Sequence, residues 1–310
     1  MNKESLWHNR AHGKLLLTGE YAVLDGALAL ALPVRYGQSL RVDPGDTPGQ
    51  LHWKSIDQHG IAWFEAAFSL PGLTVISTTQ ANTAIQLQAF LHACRRQAPV
   101  FLNHDQGLQV FTQTDFPREW GLGTSSTLIA LLARWAEVDP YPVLFDTLGG
   151  SGYDIACAFA EGPLLYRLAN RHPEIQPADF HPVFSDQLFF VFLGKKQNSR
   201  EGIRHYRQFV SENNRLADDI SAITRQCLLC SDLGTFTSLL LEHERLIGRA
   251  LGLPRAQDLY FADFPGVVKS LGAWGGDFVL AAGNGSADDT FAYFRRKGYD
   301  TCIPYGEMVL

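Results

Sequence analysis

Apolar residues in the first half of the chain recur alternately with a strand period and a helical period. The segment 108–117 alternates apolar and polar positions and ends at a proline, which predicts a strand that stops there. Just beyond it, an i, i+3, i+4, i+7 pattern predicts an amphipathic helix with an apolar stripe formed by Leu128, Leu131, Leu132 and Trp135. A second helix is predicted over 82–97, with an inward face formed by Ile85, Leu87, Phe90, Leu91 and Cys94.

The rest of the pattern adds strands and helices in mixed order. A strand, a turn at Asp25-Gly26, a strongly apolar segment and another strand are predicted within 13–43, and a glycine turn, a short helix and a strand within 149–168. Further along, the pattern predicts helices over 200–228, 233–252 and 288–298. It predicts strands over 187–194 and 300–305. Because strands and helices do not alternate steadily, the pattern predicts an α+β fold.

A connection rich in proline and polar residues separates two halves of this pattern. It covers 170–186 and leads into the apolar strand predicted next. A chain of 310 residues is long enough for two domains. We therefore predict an N-terminal domain of residues 1–180 and a C-terminal domain of residues 181–310.

The composition is that of an ordinary globular protein, with 46% hydrophobic and 19% charged residues. A net charge of −6 disfavours nucleic acid and anionic membranes as partners, although a local basic cluster could still hold a small anion. No signal-peptide pattern and no apolar run of membrane-spanning length is present in the sequence. The five cysteines are scattered along the chain, and this usage agrees with a cytoplasmic location. Cys227 and Cys230 lie in an apolar helical stretch, which favours core packing over metal or redox chemistry.

Three glycine-rich turns stand out, at 121–126, 149–152 and 272–276. The first lies between a predicted strand and a predicted helix, where glycines let the main chain approach a ligand and the helix offers unpaired N–H groups to an anion. A capped helix after a tight turn is the alternative, since Ser and Thr are common N-caps. The turn does not match the GxxxxGK[ST] phosphate loop. It also lacks the third glycine of the dinucleotide-binding fingerprint.

Charged residues near these turns point to an anionic ligand. Lys14 begins an apolar strand, and Asp154 follows the second glycine turn at a predicted helix start, where an acid is also common for structural reasons alone. A basic cluster follows a buried-type strand and is formed by Lys195, Lys196, Arg200 and Arg204. It could be a solvated loop, but helix starts usually prefer acids, so an anionic ligand would explain four cations there.

These segments together resemble the GHMP kinase superfamily, which includes galactokinases, homoserine kinases, mevalonate kinases and phosphomevalonate kinases. The motifs matched in order are "GKLLLTGEYAVLDG" at 13–26, "PREWGLGTSS" at 117–126 and "LGAWGGD" at 271–277. Tyr21 in the first motif and "GSGYDIA" around Asp154 are most similar to bacterial phosphomevalonate kinases. The resemblance implies an N-terminal domain like domain 2 of ribosomal protein S5 and a ferredoxin-like C-terminal domain.

The resemblance also implies ATP and Mg²⁺ as cofactors and gives roles to individual residues. Asp154 and Lys14 would be catalytic. ATP would be bound by Gly121, Leu122, Gly123, Thr124, Ser125, Ser126, Gly272, Gly275 and Gly276, with Ser125 as the hydroxyl on the magnesium side. The substrate would be bound by Glu20, Tyr21, Ser151, Gly152, Lys195, Lys196, Arg200 and Asp277.

The sequence departs from the family pattern at two places. Trp274 replaces a glycine of the third motif, where it could reshape the pocket, stack on the adenine or block it. Val143 stands where mevalonate kinases have a glutamate that binds magnesium, and Asp146 is nearby but out of register. The second departure weighs against a plain mevalonate kinase.

Three functions stay open at this point. The first is a mevalonate-pathway kinase, with phosphomevalonate ahead of mevalonate as acceptor. The second is a kinase for another small hydroxyl compound, such as a sugar or homoserine, and the third is a catalytically inactive regulator that binds a nucleotide or metabolite. The predicted partners are ATP and a small anionic substrate, without nucleic acid or membrane, and the predicted state is a monomer or a homodimer.

Overall fold

The computed structural model describes residues 5–195, 199–209, 215–272, 274 and 276–310. Its strands are β1 (Trp7–Thr18), β2 (Ala29–Pro44), β3 (Gln50–Ile56), β4 (Ala62–Ser69), β5 (Val75–Thr78), β6 (Leu108–Thr114), β7 (Leu164–Ala169), β8 (His172–Pro177), β9 (Leu188–Phe192), β10 (Gly266–Ser270), β11 (Phe278–Gly283) and β12 (Cys302–Pro304). Its helices are α1 (Ala81–Gln97), α2 (Thr124–Ala136), α3 (Pro140–Thr147), α4 (Tyr153–Cys157), α5 (Ser199–Phe209), α6 (Leu216–Leu229), α7 (Leu233–Leu251), α8 (Ala256–Tyr260), α9 (Ala287–Arg296) and α10 (Tyr305–Met308).

The first compact unit comprises Met1–Gly13, Tyr36–Arg118 and Gly123–Phe159. Its strands pair in the order β5–β4–β3–β6–β2, antiparallel except for the parallel pair β3–β6. Helices α1 to α4 pack on one another, and a single apolar core joins them to strand residues such as Leu40 and Trp53. Because α2 and α4 pack on the same core, their positions relative to each other are determined by this unit.

The second unit comprises Lys14–Arg35, Glu119–Leu122 and Ala160–Leu310. Its main sheet has the antiparallel strand order β10–β11–β9–β12, while the start of β2 pairs with β7, and β7 pairs with β8. An aromatic-rich core that includes Phe261 and Phe294 lies between this main sheet and helices α8 and α9. Helices α6 and α7 pack together, and α7 contacts β10 and β11.

Both units are built from helices and largely antiparallel sheets, so the predicted α+β class is confirmed. Strands β1 and β2 each supply residues to both units, and the units are therefore interleaved in the sequence. The boundary near residue 180 stays a prediction, as do the ribosomal protein S5-like and ferredoxin-like domains.

The predicted helix over 82–97 is confirmed as α1, but its inward face differs at one position. Ile85 is 60% exposed, whereas Leu87, Phe90, Leu91 and Cys94 are buried as predicted. Ala84 is buried instead. Together with Leu87, Leu91 and Cys94 it forms the face of α1 that meets the core, and Ile85 lies outside that face.

The stripe predicted for α2 is also shifted. Leu131 and Leu132 are fully buried, but Leu128 and Trp135 are only partly buried. Ile129 and Ala130 are buried instead, because α2 contacts α1, α3 and α4 and is therefore covered on more than one face.

Two predicted segments have different extents in the structure. The pattern over 200–228 is two helices, since α5 ends at Phe209 and α6 begins at Leu216. The sequence 211–214, Ser-Glu-Asn-Asn, is rich in residues that favour caps and turns. The apolar segment and the strand predicted after Asp25-Gly26 are one long strand, β2, which begins at Ala29 and ends at Pro44.

Phe190 provides a test of the β9 core. Its side chain is fully buried, it lies opposite Leu280 in the sheet, and its ring stacks on Tyr305 with 6.0 Å between centroids. Phe190→Ala should lower the free energy of unfolding by about 3–5 kcal/mol in urea denaturation, because it leaves a cavity. Val183→Ala, at a side chain that is 81% exposed, should change it by less than about 0.5 kcal/mol. Equal losses in both variants would contradict this view of the core.

Candidate functional site

A glycine-rich loop connects the short 3₁₀ turn Arg118–Trp120 to the start of α2. Gly121 and Gly123 have φ angles of +68° and +91°, in the left-handed region that favours glycine. The chain passes from the second unit to the first between Leu122 and Gly123. Each half of the loop therefore belongs to a different unit, although the loop is one covalent segment.

Helix α2 begins without a side-chain cap. Gly123 is its N-cap, and the N–H groups of Ser126 and Thr127 donate to the Gly123 carbonyl oxygen at 3.0 and 2.9 Å. The N–H groups of Thr124 and Ser125 come before the first N–H group that donates within the helix, so α2 itself offers them no acceptor. They lie at the positive end of the helix dipole, which is suited to an anion.

The first turn of α2 carries a hydrogen bond to the predicted catalytic acid. Ser126 Oγ donates to Asp154 Oδ2. Ser126 is buried and Asp154, on the short helix α4, is half-buried. The neighbouring Ser125 is exposed, because it lies on the outer side of the same turn. The structure thus brings Ser126 and Asp154 together within the first unit.

Tyr141 of α3 is a residue near Asp154 that the sequence did not single out. Its hydroxyl is buried and has no hydrogen-bond partner among the described residues. Burial raises the pKa of Tyr141, and the negative charge of Asp154 raises it further. The neutral hydroxyl therefore stays available as a donor at any physiological pH.

In the second unit, Lys14 contacts the other half of the loop. Its Nζ donates to the carbonyl oxygen of Gly121 at 3.0 Å, and its N–H donates to the carbonyl oxygen of Leu122 at 3.1 Å. A Cβ added at Gly121 would overlap the carboxylate of Asp277. Lys14, Gly121 and Asp277 are therefore packed together, and Gly121 is required by both its φ angle and its close neighbour.

Asp277 is held through its main chain. It is buried and has a φ of +52°. Its N–H donates to the carbonyl oxygen of Lys195 at 2.7 Å, and its carbonyl oxygen accepts from Leu193 N–H at 2.8 Å. The Lys195 side chain is exposed. The third motif is thereby joined to the segment that follows β9.

Tyr21 and Trp274 contact each other directly. Trp274 N–H donates to Tyr21 Oη at 3.0 Å, and the Trp274 indole N–H donates to the carbonyl oxygen of Pro254 at 2.9 Å. Both side chains are buried. Trp274 is thus anchored in the interior of the second unit, and its indole has a structural partner there.

Four titratable side chains form a buried charge cluster in the second unit: Glu20, His243, Glu244 and Lys269. Lys269 Nζ lies 2.5 Å from Glu20 Oε1 and 3.9 Å from Glu244 Oε1. His243 Nε2 lies 3.1 Å from Glu20 Oε2 and accepts from Gly19 N–H at 3.0 Å. All four side chains are at most 1% exposed.

The cluster holds more acid than base. Burial lowers the pKa of His243 well below its usual value, and Lys269 lowers it further, so the imidazole is neutral. Burial raises the pKa of Glu20 and raises that of Glu244 to about 8, although Lys269 opposes both shifts. Since Lys269 balances only one carboxylate, we infer that the coupled pair of glutamates retains one proton at neutral pH.

The remaining predicted site residues are distributed as follows. Ser151 is buried and Gly152, with a φ of +87°, is the N-cap of α4. Gly276 is buried and Gly272 is partly buried beside the charge cluster. Arg204 is exposed on α5. Lys196, Gly275 and the side chain of Arg200 lie outside the described residues.

Val143 and Asp146 of α3 both have structural surroundings. Val143 is fully buried in the apolar core, and Asp146 forms an ion pair with Arg96 at 3.0 Å. Within the part of the chain that the structure describes, no group of three His, Cys, Asp or Glu side chains could hold a metal ion. Ser125 as a magnesium-side hydroxyl stays a prediction.

A scan of the sequence against protein-family models found no match, and a search of curated proteins found none either. A search of solved structures found mevalonate kinase from Methanococcus jannaschii, with 14% identity and a TM-score of 0.71 over 96% of this chain and 98% of that one. It also found Streptococcus pneumoniae phosphomevalonate kinase in complex with phosphomevalonate and AMPPNP, with 17% identity and a TM-score of 0.70 over 94% and 96%. The mevalonate kinase of L. major, in complex with R-mevalonate, has 20% identity and a TM-score of 0.67 over 95% and 92%.

This chain has the GHMP kinase fold. The predicted superfamily resemblance is confirmed at the level of fold, because the solved GHMP kinases align over nearly their whole length. At identities of 14–20% the likeness extends to the fold and not to a particular substrate. None of the helices that the structure describes has the length and apolar content needed to cross a bilayer.

The contact between Gly121 and Asp277 predicts the effect of a single methyl group. Gly121→Ala should lower the melting temperature more than Gly252→Ala, although both glycines have a similar positive φ, of +68° and +64°. A Cβ at Gly252 meets nothing within 4 Å, whereas one at Gly121 overlaps the carboxylate of Asp277. We expect an extra loss of about 1–3 kcal/mol at Gly121. Equal losses in calorimetry would contradict the packing at the loop.

The buried charge cluster predicts a pH dependence of stability. The folded state keeps a proton on the glutamate pair up to about pH 8, whereas the unfolded chain releases it near about pH 4.3. The stabilisation is therefore complete below the unfolded pKa and is lost as the pH rises through the folded pKa. Groups whose pKa responds to the cluster charges are Tyr21, Cys227 and Arg255.

Glu244→Gln removes the titrating site and keeps the Glu20–Lys269 pair. Between pH 5 and pH 8, the melting temperature of the wild type should fall relative to that of this variant by at least about 3 °C. Differential scanning calorimetry across this range measures the difference. Parallel curves for the two proteins would show that the folded cluster holds no extra proton.

Proposed function

We propose that this chain is an ATP-dependent kinase of small molecules. The observation that carries the proposal is the hydrogen bond from Ser126 to Asp154. It joins a carboxylate to the first turn of a helix that follows a glycine loop and has no side-chain cap. A phosphate-binding main chain and an acid that can contact an acceptor hydroxyl are the parts that phosphoryl transfer needs.

The glycine loop is suited to the phosphates of ATP. Positive φ angles at Gly121 and Gly123 and the leading N–H groups of α2 favour an anion that follows the main chain closely. Mg²⁺ bound with the nucleotide would neutralise phosphate charge. Ser125 is the exposed hydroxyl that we propose beside it, while the buried Ser126 is committed to Asp154.

Lys14 supplies the positive charge in this proposal. Its ammonium group is held at the carbonyl oxygen of Gly121, and the Asp277 carboxylate packs against the Cα of the same glycine. A lysine fixed at the phosphate loop stabilises negative charge on the transferred group without having to reorganise. We therefore assign Lys14 to charge stabilisation.

The role of Asp154 depends on the acceptor. With a hydroxyl acceptor such as mevalonate, the carboxylate would accept the proton as the oxygen attacks the γ-phosphorus and ADP departs. With a phosphate acceptor, whose second pKa is near 6, little proton abstraction is needed. Asp154 would then orient the acceptor, with Ser126 holding the carboxylate in place.

We propose an anionic acceptor, phosphomevalonate ahead of mevalonate. Support comes from Lys195, an exposed cation whose main chain holds Asp277, and from the solved phosphomevalonate kinase with the same fold. A sugar or homoserine is the alternative acceptor, and a nucleotide-binding regulator is the alternative without catalysis. The cytoplasmic location and the monomeric or homodimeric state stay predictions from composition.

The test is ADP release by the purified protein with Mg·ATP and each acceptor. Asp154→Asn should lower turnover by at least about 100-fold, as expected when a positioned acid is lost, while calorimetry still detects binding of AMPPNP. Asp218→Asn is the matched control, since Asp218 is an exposed acid in the first turn of α6. It should leave turnover unchanged.

Turnover with one acceptor that is lost in Asp154→Asn and kept in Asp218→Asn supports both the reaction and the role of Asp154. Activity in Asp154→Asn close to that of the wild type would remove this residue from the mechanism. Binding of AMPPNP without turnover on mevalonate, phosphomevalonate, sugars or homoserine would favour the regulator.

A further inference from the structure

The buried charge cluster has no part in the proposed chemistry, yet it lies where the first and third motifs meet within the second unit. Glu20 is in the first motif, and Lys269 precedes the third motif by two residues. Lys269 Nζ donates both to Glu20 Oε1, at 2.5 Å, and to the carbonyl oxygen of Ser270, at 2.8 Å. This arrangement ties the end of β10 to the first motif.

The first motif also contacts the main chain of the third motif. Burial raises the pKa of the Glu20 carboxyl, and the main chain of Gly272 lies close enough to oppose that shift. The next residue in the first motif, Tyr21, accepts from Trp274 N–H at 3.0 Å. Tyr21 therefore holds a main-chain donor of the third motif, and the Glu20–Lys269 ion pair lies directly beside it in the sequence of the first motif.

The turn that carries Glu20 is strained and needs such support. Gly19 has a φ of +99° and Tyr21 a φ of +57°, so a residue with a side chain occupies the left-handed region. A conformation of this kind costs free energy and persists where surrounding contacts determine it. The ion pair with Lys269 and the Gly19 N–H bond to His243 supply those contacts.

We propose that Glu20 and Lys269 are positioning residues, which fix the main chain at Gly272 and Trp274 and thereby hold Asp277 against Gly121 of the phosphate loop. Glu20 is then not a substrate ligand, in keeping with a carboxylate that is fully buried and engaged by Lys269. The consequence for nucleotide binding rests on the proposed function, whereas the consequence for the main chain does not.

The test uses the double variant Glu20→Met/Lys269→Met. A single substitution would leave an unpaired buried charge and endanger folding, but an apolar pair of similar size is commonly tolerated. Hydrogen-exchange mass spectrometry on a peptide covering 271–277 should show amide exchange at least about tenfold faster in the double variant, because opening becomes easier once the ion pair that ties the end of β10 to the first motif is lost. Calorimetry should show AMPPNP bound about tenfold more weakly.

Two controls separate positioning from a general loss of stability. Glu244→Gln keeps the Glu20–Lys269 pair and should leave exchange in this peptide unchanged. Phe294→Leu weakens the apolar core that contains Val268 and Val279, neighbours of Lys269 and Leu280 that point to the opposite face of the sheet, and it should also leave exchange in this peptide unchanged.

Unchanged exchange over 271–277 in the double variant overturns the proposal. Faster exchange with unchanged AMPPNP affinity overturns the connection to the phosphate loop. A wild type that does not bind AMPPNP contradicts the proposed function instead, and the exchange measurement still decides whether Glu20 and Lys269 position the third motif.

Discussion

The hydrogen bond from Ser126 to Asp154 connects the first turn of α2 with the segment after the second glycine turn. It depends on the register of α2, since shifting the helix by one residue would turn Ser126 away from the acid by about 100°. The start of the helix is fixed in turn by Thr127, whose buried hydroxyl donates to Gln38 Oε1 of β2 at 2.6 Å. The sheet of the first unit thus determines where the hydroxyl and the carboxylate meet.

The second unit differs in that it buries charged side chains in its interior. Lys269 and Glu20 are removed from water, which is costly unless geometry and hydrogen bonds are good. A merely stabilising core could use apolar residues of the same size. Lys269 instead donates to the main-chain carbonyl oxygen of Ser270 as well as to Glu20, which an apolar side chain cannot do. The surplus carboxyl of Glu244 is tolerated because the cluster can keep a proton.

Local sequence patterns predicted most helices and strands, and they were least informative about which side of an element is buried. The helix α1 was predicted within one residue at its start, yet Ile85 faces solvent, since the neighbouring elements decide the face. Strands β3 to β5, β8, β10 and β11 were not predicted. Helix α3 was not predicted either, although Asp139 before a proline is an ordinary helix start and its side chain caps α3. The motif spacing predicted which hydroxyl residues belong to the loop. It could not predict that Ser126 donates a hydrogen bond to Asp154. Lys269, a lysine within an apolar strand, was the available signal for the charge cluster.

The most direct measurement of phosphoryl transfer is ³¹P nuclear magnetic resonance of the protein with Mg·ATP and phosphomevalonate, followed by mevalonate. A kinase acting on phosphomevalonate will convert the monophosphate signal into a pair of coupled diphosphate signals while ATP becomes ADP in equal amount. With mevalonate, a new phosphomonoester signal is the corresponding result. ADP accompanied only by inorganic phosphate, or unchanged spectra with both compounds and with sugar and homoserine acceptors, would contradict a small-molecule kinase.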